Sequence, residues 1–266
     1  MGKCLTLISD ATHLVQEREL RRQICTLGRR MYQRGLVVAC QGNLSVRLDS
    51  NRMLVTPAGA CKGRLTVGDI LITDLNGSVL CGTGQPSSEI QMHLLFYRLR
   101  PEVQAVCHAH PPTATGFAAA GRALDEAVLP EVIVSLGKIP LAPYGTPGTW
   151  ELCAGLESLV PKHDAILLEN HGVVTCGQTL DAAYHHMETV EQFARILLTA
   201  ESLGGAHLLS TSQVQKLIAA RSRYGVSCPN NAEPPLTSDA RIVLTRQEVR
   251  SNHQKAPTER EPRCKR

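Results

Sequence analysis

Val103-Gln-Ala-Val-Cys-His108-Ala-His110-Pro-Pro112 is an apolar strand signature that runs into two histidines at i and i+2 and is cut off by two prolines. Period-2 alternation points both imidazoles to one face, a few ångströms apart, as two ligands of one metal ion require. A second buried strand, Ala165-Ile-Leu-Leu-Glu169, ends at Asn170-His171-Gly172. If the two strands are neighbours, three imidazoles meet at one end of a sheet, the ligand count of a catalytic zinc site. A His-x-His pair alone also punctuates ordinary strand ends. Three strand-end histidines are harder to explain that way.

Working outward, residues 10–34 read as a helix, with Leu14, Glu17, Leu20, Ile24, Leu27 and Met31 at helical spacing and Gly35 suited to its C-cap. A β-rich stretch follows: Asn43 to Leu48 alternates, an Asp-Ser-Asn turn leads into Met53–Thr56, and Asn76-Gly77 is a hairpin signal between Ile70–Leu75 and Ser78–Leu80. Pro86-Ser-Ser-Glu opens a second helix to about Arg100, with Ser87 or Ser88 as N-cap. The pattern then predicts a helix over 113–121, a strand over Glu131–Ser135, a helix over 149–160, a long amphipathic helix over 179–203 and a further helix over 211–223. No internal repeat is visible. The expected architecture is one α/β domain over residues 1–225, with a largely antiparallel sheet and flanking helices, followed by a loose basic tail over 226–266.

Glu89 is the candidate acid/base. It falls in the first turn of its helix, where the macrodipole favours a carboxylate, and beside a metal it could move a proton on a carbon next to a polarised carbonyl. Ser87 and Ser88 open the same helix, whose free N–H groups suit a phosphate. Gly42-Asn43 and Thr56-Pro-Ala-Gly59 are backbone-rich corners of the kind that form anion-binding nests. His93 shares a helix face with Glu89 and could support the ligands from behind. His185 and His186 read as packing or surface, and His13, His163, His207 and His253 belong to no constellation.

Composition removes several classes. The chain has 266 residues, 28 Lys+Arg against 24 Asp+Glu, 43% hydrophobic and 20% charged residues, which is globular and not disordered. No apolar run approaches the ~20 residues of a membrane helix. The formal +4 is misleading: residues 241–266 hold eight basic residues and three glutamates, so residues 1–240 are close to neutral. With 3% aromatics, this argues against a nucleic-acid partner. Ten dispersed cysteines with no C-x-x-C pair, and no apolar leader after Met1, predict reduced thiols and a cytoplasmic location. Met1-Gly-Lys-Cys-Leu-Thr fits the permissive N-myristoylation pattern, which soluble enzymes meet by chance, so no membrane partner is expected.

The ordered set GNLS (42–45), TPAG (56–59), PSSE (86–89), HAH (108–110) and NHG (170–172), with APYGT (142–146), resembles the zinc-dependent class II aldolase/adducin-head family across roughly residues 15–225. The resemblance implies a single-domain three-layer sandwich with a central, mainly antiparallel sheet between helices. It implies a homotetramer with active sites at subunit interfaces, and one Zn2+ per subunit on His108, His110 and His171, with Glu89 able to approach the metal as ligand or as catalytic acid/base. Gly42, Asn43, Thr56, Gly59, Ser87 and Ser88 would hold the phosphate of a phosphorylated sugar, and Tyr224 looks like a tyrosine that closes over the site. The implied reaction is that of a lyase, cleaving a ketose 1-phosphate such as L-fuculose 1-phosphate to dihydroxyacetone phosphate and a short aldehyde through a zinc-stabilised enediolate. The chain departs from the aldolases at Glu131-Val-Ile-Val134, which has no tyrosine where they supply a proton donor. Decarboxylation, dehydration or 4-epimerisation of a sugar or sugar-acid phosphate uses the same logic. An adducin-like interaction module is a third reading, disfavoured by the histidines.

Overall fold

Alternation along the strand Ala105–Ala109 organises the whole molecule: Ala105, Cys107 and Ala109 enter one apolar cluster, Val106 the other. The computed structural model describes residues 2–224 and 233–240, with side chains from Leu14 to Arg223 and from Glu233 to Ala240. The strands are β1 Asn43–Arg47, β2 Arg52–Val55, β3 Leu71–Asp74, β4 Val79–Cys81, β5 Ala105–Ala109, β6 Leu141–Ala142, β7 Ala165–Leu168 and β8 Gly172–Gly177. They form one sheet in the order β4-β3-β2-β1-β5-β8-β7-β6. Every pairing is antiparallel except β6 with β7.

The helices are α1 Gly2–Gln33, α2 Ile90–Leu99, α3 Pro112–Ala119, α4 Pro130–Ser135, α5 Trp150–Leu156, α6 Leu180–Ser202 and α7 Thr211–Ala219. α1 (Ile24, Leu27, Met31), α3 (Ala114, Phe117) and α6 (Met187, Val190, Leu197) bury their stripes on one face of the sheet. α2 (Met92, Leu95, Phe96) and α5 (Leu152, Leu156) cover the other. Helices thus cover both faces of the sheet, the edge strand β4 alone being exposed along its length, and the expected three-layer α/β sandwich is borne out. Residues 233–240, within the stretch that composition assigns to the tail, lie against the body: Leu236 bridges Glu126, and Thr237 is buried.

Four expectations change. Glu131–Ser135 is a helix, α4, because Pro130 at its first turn presets helical φ and the run Val132-Ile133-Val134 is buried on more than one side. A short apolar run looks the same in a strand and in an all-round buried helix. The neighbour of β5 is β8, so the strand before His171 lies one place further out. The helix α2 starts at Ile90, with Glu89 as its N-cap residue in place of Ser87 or Ser88. The helix expected over 211–223 ends at Ala219 and gives way to a 3-10 turn Arg221–Tyr224.

Candidate metal centre

The sheet parity decides which side chains can meet. His108 follows Val106 on the α2 face of β5, and Asn43 of β1 is its cross-strand partner, with Ser45 two residues on. Above them α2 presents Glu89, His93 and Tyr97, four residues apart and therefore on one stripe. His171 sits in the tight β7–β8 connection, where Asn170 takes a left-handed φ of 54°. Two glycines permit this convergence. A Cβ on Gly172 would lie 2.6 Å from His110 Cδ2 and 2.6 Å from the Ala109 carbonyl oxygen. Gly42 combines φ +71° with a Cβ position 2.7 Å from the His108 carbonyl oxygen.

His108, His110 and His171 each offer one ligand atom, and these atoms lie within 4.8 Å of one another. The Nε2 atoms of His108 and His110 are 3.1 Å apart. His108 Nδ1–H donates to the Val173 carbonyl at 2.9 Å, so its Nε2 carries the lone pair. That backbone partner is the kind that orients a metal-ligating imidazole. Glu89 closes the group, with Oε2 3.3 Å from His108 Nε2 and Oε1 2.9 Å from His171 Nε2. His171 Nδ1 is buried without a hydrogen-bond partner, and the one close polar neighbour given for buried Glu89 Oε1 is His171 Nε2. Ligands of one tetrahedral ion at ~2.05 Å stand about 3.3 Å apart; the His108–His110 pair is already near that spacing, the three ligand atoms lie within 4.8 Å, and three imidazoles beside one carboxylate are a donor set that fits a divalent cation.

Charge is arranged accordingly. Burial alone would raise the Glu89 carboxyl, but His108, His171 and the Asn43 amide outweigh it and hold the group ionised, well below the usual carboxylate range. Burial pushes His108 down to about 4, and it also lowers His110, so both are neutral ligands near pH 7. Among the described residues, these histidines are the one group of three or more metal-ligating side chains.

A buried hydrogen-bond chain supports the carboxylate from behind. Asn43 Nδ2 donates to Glu89 Oε2 (2.9 Å) and Ser87 Oγ (3.0 Å). Its Oδ1 therefore faces His93 Nε2 at 2.5 Å, which fixes the proton on that nitrogen. His93 Nδ1 is left to accept from Ser45 Oγ (2.7 Å), and Ser45 in turn accepts from Tyr97 O–H (2.7 Å). Burial pushes His93 down to about 3, keeping the chain neutral. His93 is thus a support, as its spacing from Glu89 suggests. Ser45 and Tyr97 went unread in the sequence, although the i, i+4, i+8 series 89, 93, 97 and the i+2 step from Asn43 carry the signal.

The remaining candidates are close by. Ser87 Oγ also accepts from Glu89 N–H. The 56–59 and 85–88 segments run side by side through a Pro57–Pro86 bridge and the Ala58 N–H to Gln85 carbonyl bond of 2.9 Å. Gly59, at φ +69°, has open space where a Cβ would stand, and Gly148 approaches Ser88. Thr56 is fully buried and its hydroxyl accepts from Leu44 N–H, so that oxygen serves the sheet. The side chain of Tyr224 lies outside the described residues. Among those described, Cys25, Cys40, Cys61, Cys81, Cys107, Cys153 and Cys176 are free thiols.

Comparison with known proteins agrees with this geometry. A 3-oxo-tetronate 4-phosphate decarboxylase of Haemophilus influenzae is 37% identical over 190 residues, covering 70% of this chain and 90% of that protein. An L-fuculose phosphate aldolase of Methanococcus maripaludis is 37% identical over 174 residues, covering 65% of this chain and 92% of its own. A solved L-fuculose 1-phosphate aldolase superposes with a TM-score of 0.72 at 30% identity, over 77% of this chain and 96% of that one. Residues 22–198 match the class II aldolase and adducin N-terminal domain family, and the chain belongs to it.

Proposed function

We propose that this chain is a zinc-dependent carbon–carbon lyase acting on a phosphorylated sugar or sugar acid. The observation that carries the reading is the buried Glu89 carboxylate set 2.9 Å from His171 Nε2 and 3.3 Å from His108 Nε2, beside three imidazoles whose ligand atoms lie within 4.8 Å of one another. His108, His110 and His171 would hold the ion, which supplies Lewis-acid polarisation of the substrate carbonyl. Glu89 Oε1 then takes or returns a proton at the carbon beside that carbonyl. Asn43 keeps Glu89 Oε2 oriented while this happens, and Gly42, Gly59, Ser87 and Ser88 offer N–H and hydroxyl donors to the phosphate.

Of the two bond cleavages open to such a site, loss of carbon dioxide from a 3-oxo acid phosphate asks least of these residues. It needs one proton at the carbon that keeps the electron pair; that proton comes from solvent, and Glu89, ionised at rest, relays it. Aldol cleavage of a ketose 1-phosphate also needs a base for the hydroxyl that becomes the aldehyde. The aldolase expectation therefore stands as the second reading, with Tyr224 as the residue that would have to act. Similarity to both kinds of relative at 37% identity supports keeping the pair. The same proposal includes a homotetramer with shared interfaces and a cytoplasmic location; no described helix is long and apolar enough to cross a membrane.

The test is metal analysis with a substrate panel assayed for carbon dioxide, aldehyde and epimer. About one zinc per chain is expected, lost in His108→Ala and His171→Ala. Glu89→Gln is expected to keep the metal and lose ~10²-fold or more in turnover. Undiminished turnover in Glu89→Gln refutes its role, and metal-free purified protein with no lyase activity refutes the reading as a whole.

A further inference from the structure

The donors named for the phosphate are all neutral, yet a buried lysine is bonded to the backbone next to two of the segments that carry them. Lys62 opens a 3-10 turn, Lys62–Arg64, and is only 1% exposed, where lysine is rarely found. Its Nζ donates to the Cys40 carbonyl at 3.1 Å and the Ala60 carbonyl at 2.5 Å. Cys40 lies two residues before Gly42-Asn43, and Ala60 directly follows Thr56–Gly59, so the ammonium ties together the backbone that flanks the two corners read as anion nests. The lysine ion pairs among the described residues belong to Lys138 and Lys162, leaving Lys62 with no carboxylate partner. Burial lowers its pKa, and Glu89 is near enough to be felt electrostatically. The turn is pressed onto α1: a Cβ on Gly28 would stand 2.9 Å from the Lys62 carbonyl oxygen, and one on Gly63 would stand 2.8 Å from the Tyr32 ring. The side chain is thereby held inside.

A buried ammonium without a counter-ion is costly, and an anion arriving next to it offsets that cost. Carbonyl oxygens facing a phosphate would repel it, and an ammonium that draws two of them inward removes that repulsion. We infer that Lys62 is the cationic residue of the phosphate subsite, balancing a phosphomonoester dianion bound to the corners it ties together. This rests on the reading that the 42–43, 56–59 and 87–88 segments hold the substrate phosphate.

The experiment is calorimetric titration of inorganic phosphate into the zinc-loaded protein, with the melting-temperature increment at saturating phosphate as a second readout. Lys62→Gln keeps a donor for the carbonyls and removes the charge; Lys62→Arg keeps the charge. Phosphate affinity is expected to fall about tenfold or more in Lys62→Gln, with zinc content unchanged, and to be largely kept in Lys62→Arg. Wild-type affinity in Lys62→Gln overturns the inference and reduces Lys62 to a structural tie. Ser88→Asp separates the two layers of the argument. If it abolishes phosphate binding while Lys62→Gln does not, the subsite stands and the lysine's role falls; if it binds phosphate normally, or wild type binds none, both fall. Should Lys62→Gln not fold, Lys62→Met is read by its phosphate-induced melting increment, where an increment equal to wild type overturns the inference.

Discussion

Replacing His93 by leucine probes the link between the buried hydrogen-bond chain and the reactive carboxylate. The imidazole is 1% exposed and bridges Asn43 Oδ1 at 2.5 Å and Ser45 Oγ at 2.7 Å. Leucine leaves Asn43 Oδ1 without a donor. Ser45 can turn to Tyr97, but one hydroxyl proton is then orphaned wherever the chain rearranges. Two buried unsatisfied groups at ~1–3 kcal/mol each, offset by about 1 kcal/mol from the added apolar surface, give a net loss of about 1–5 kcal/mol. With a urea m-value of ~3 kcal/mol/M, the midpoint should drop by about 1 M. Asn43 is also freed to rotate away from Glu89, so turnover should fall ~10–100-fold while zinc content is unchanged, because no ligand has been touched. Urea unfolding followed by circular dichroism, metal analysis and steady-state kinetics on one preparation measure all three quantities. A midpoint within about 0.3 M of wild type together with unchanged kcat would refute the chain as a support of Glu89.

Two further outcomes follow from the same geometry. Gly172→Ala places a methyl 2.6 Å from the His110 ring, so the ring must shift and zinc affinity should fall, about tenfold or more, when titrated against a chelator. In metal-free protein, His93 and His108 are depressed by burial to about 3 and about 4, from 6.5. The unfolded chain then binds more protons than the native one below pH 6.5, so stability should fall as pH drops through that window, by up to ~1.4 kcal/mol per unit per group. The depressed Glu89 carboxyl acts in the same direction at lower pH. A urea midpoint that is flat between pH 7 and 4.5 contradicts this burial argument.

Much of the site was legible because its signals are local. His108 and His110 obey the strand period, Glu89 and His93 the helix period, and Asn170-His171-Gly172 marks a turn after an apolar run. The errors have equally local causes. Val132-Ile133-Val134 carries no period that separates strand from buried helix, and Pro130 was the residue that decided for helix. β6 has two residues and no pattern of its own, and β8 continues without a break from the turn that holds His171. Ser87 and Ser88 satisfy the capping preference, and Ser87 Oγ does accept from Glu89 N–H, but the helix itself starts at Ile90 with Glu89 as its N-cap residue.

Periodicity and residue type were enough to specify that three imidazoles and one carboxylate lie at strand and helix ends, because those rules act over two to four residues. Strand order was beyond them. Only the assembled sheet puts β1 and β8 on either side of β5, which sets Asn43 opposite His108 and gives His108 Nδ1 the Val173 carbonyl. Lys62 shows the same division: in sequence it is an ordinary lysine in a turn, and its burial between two loop carbonyls exists only once α1 and the sheet have closed around it. Side-chain direction follows from local backbone geometry, whereas burial and the partners of a buried charge depend on segments far apart in the chain.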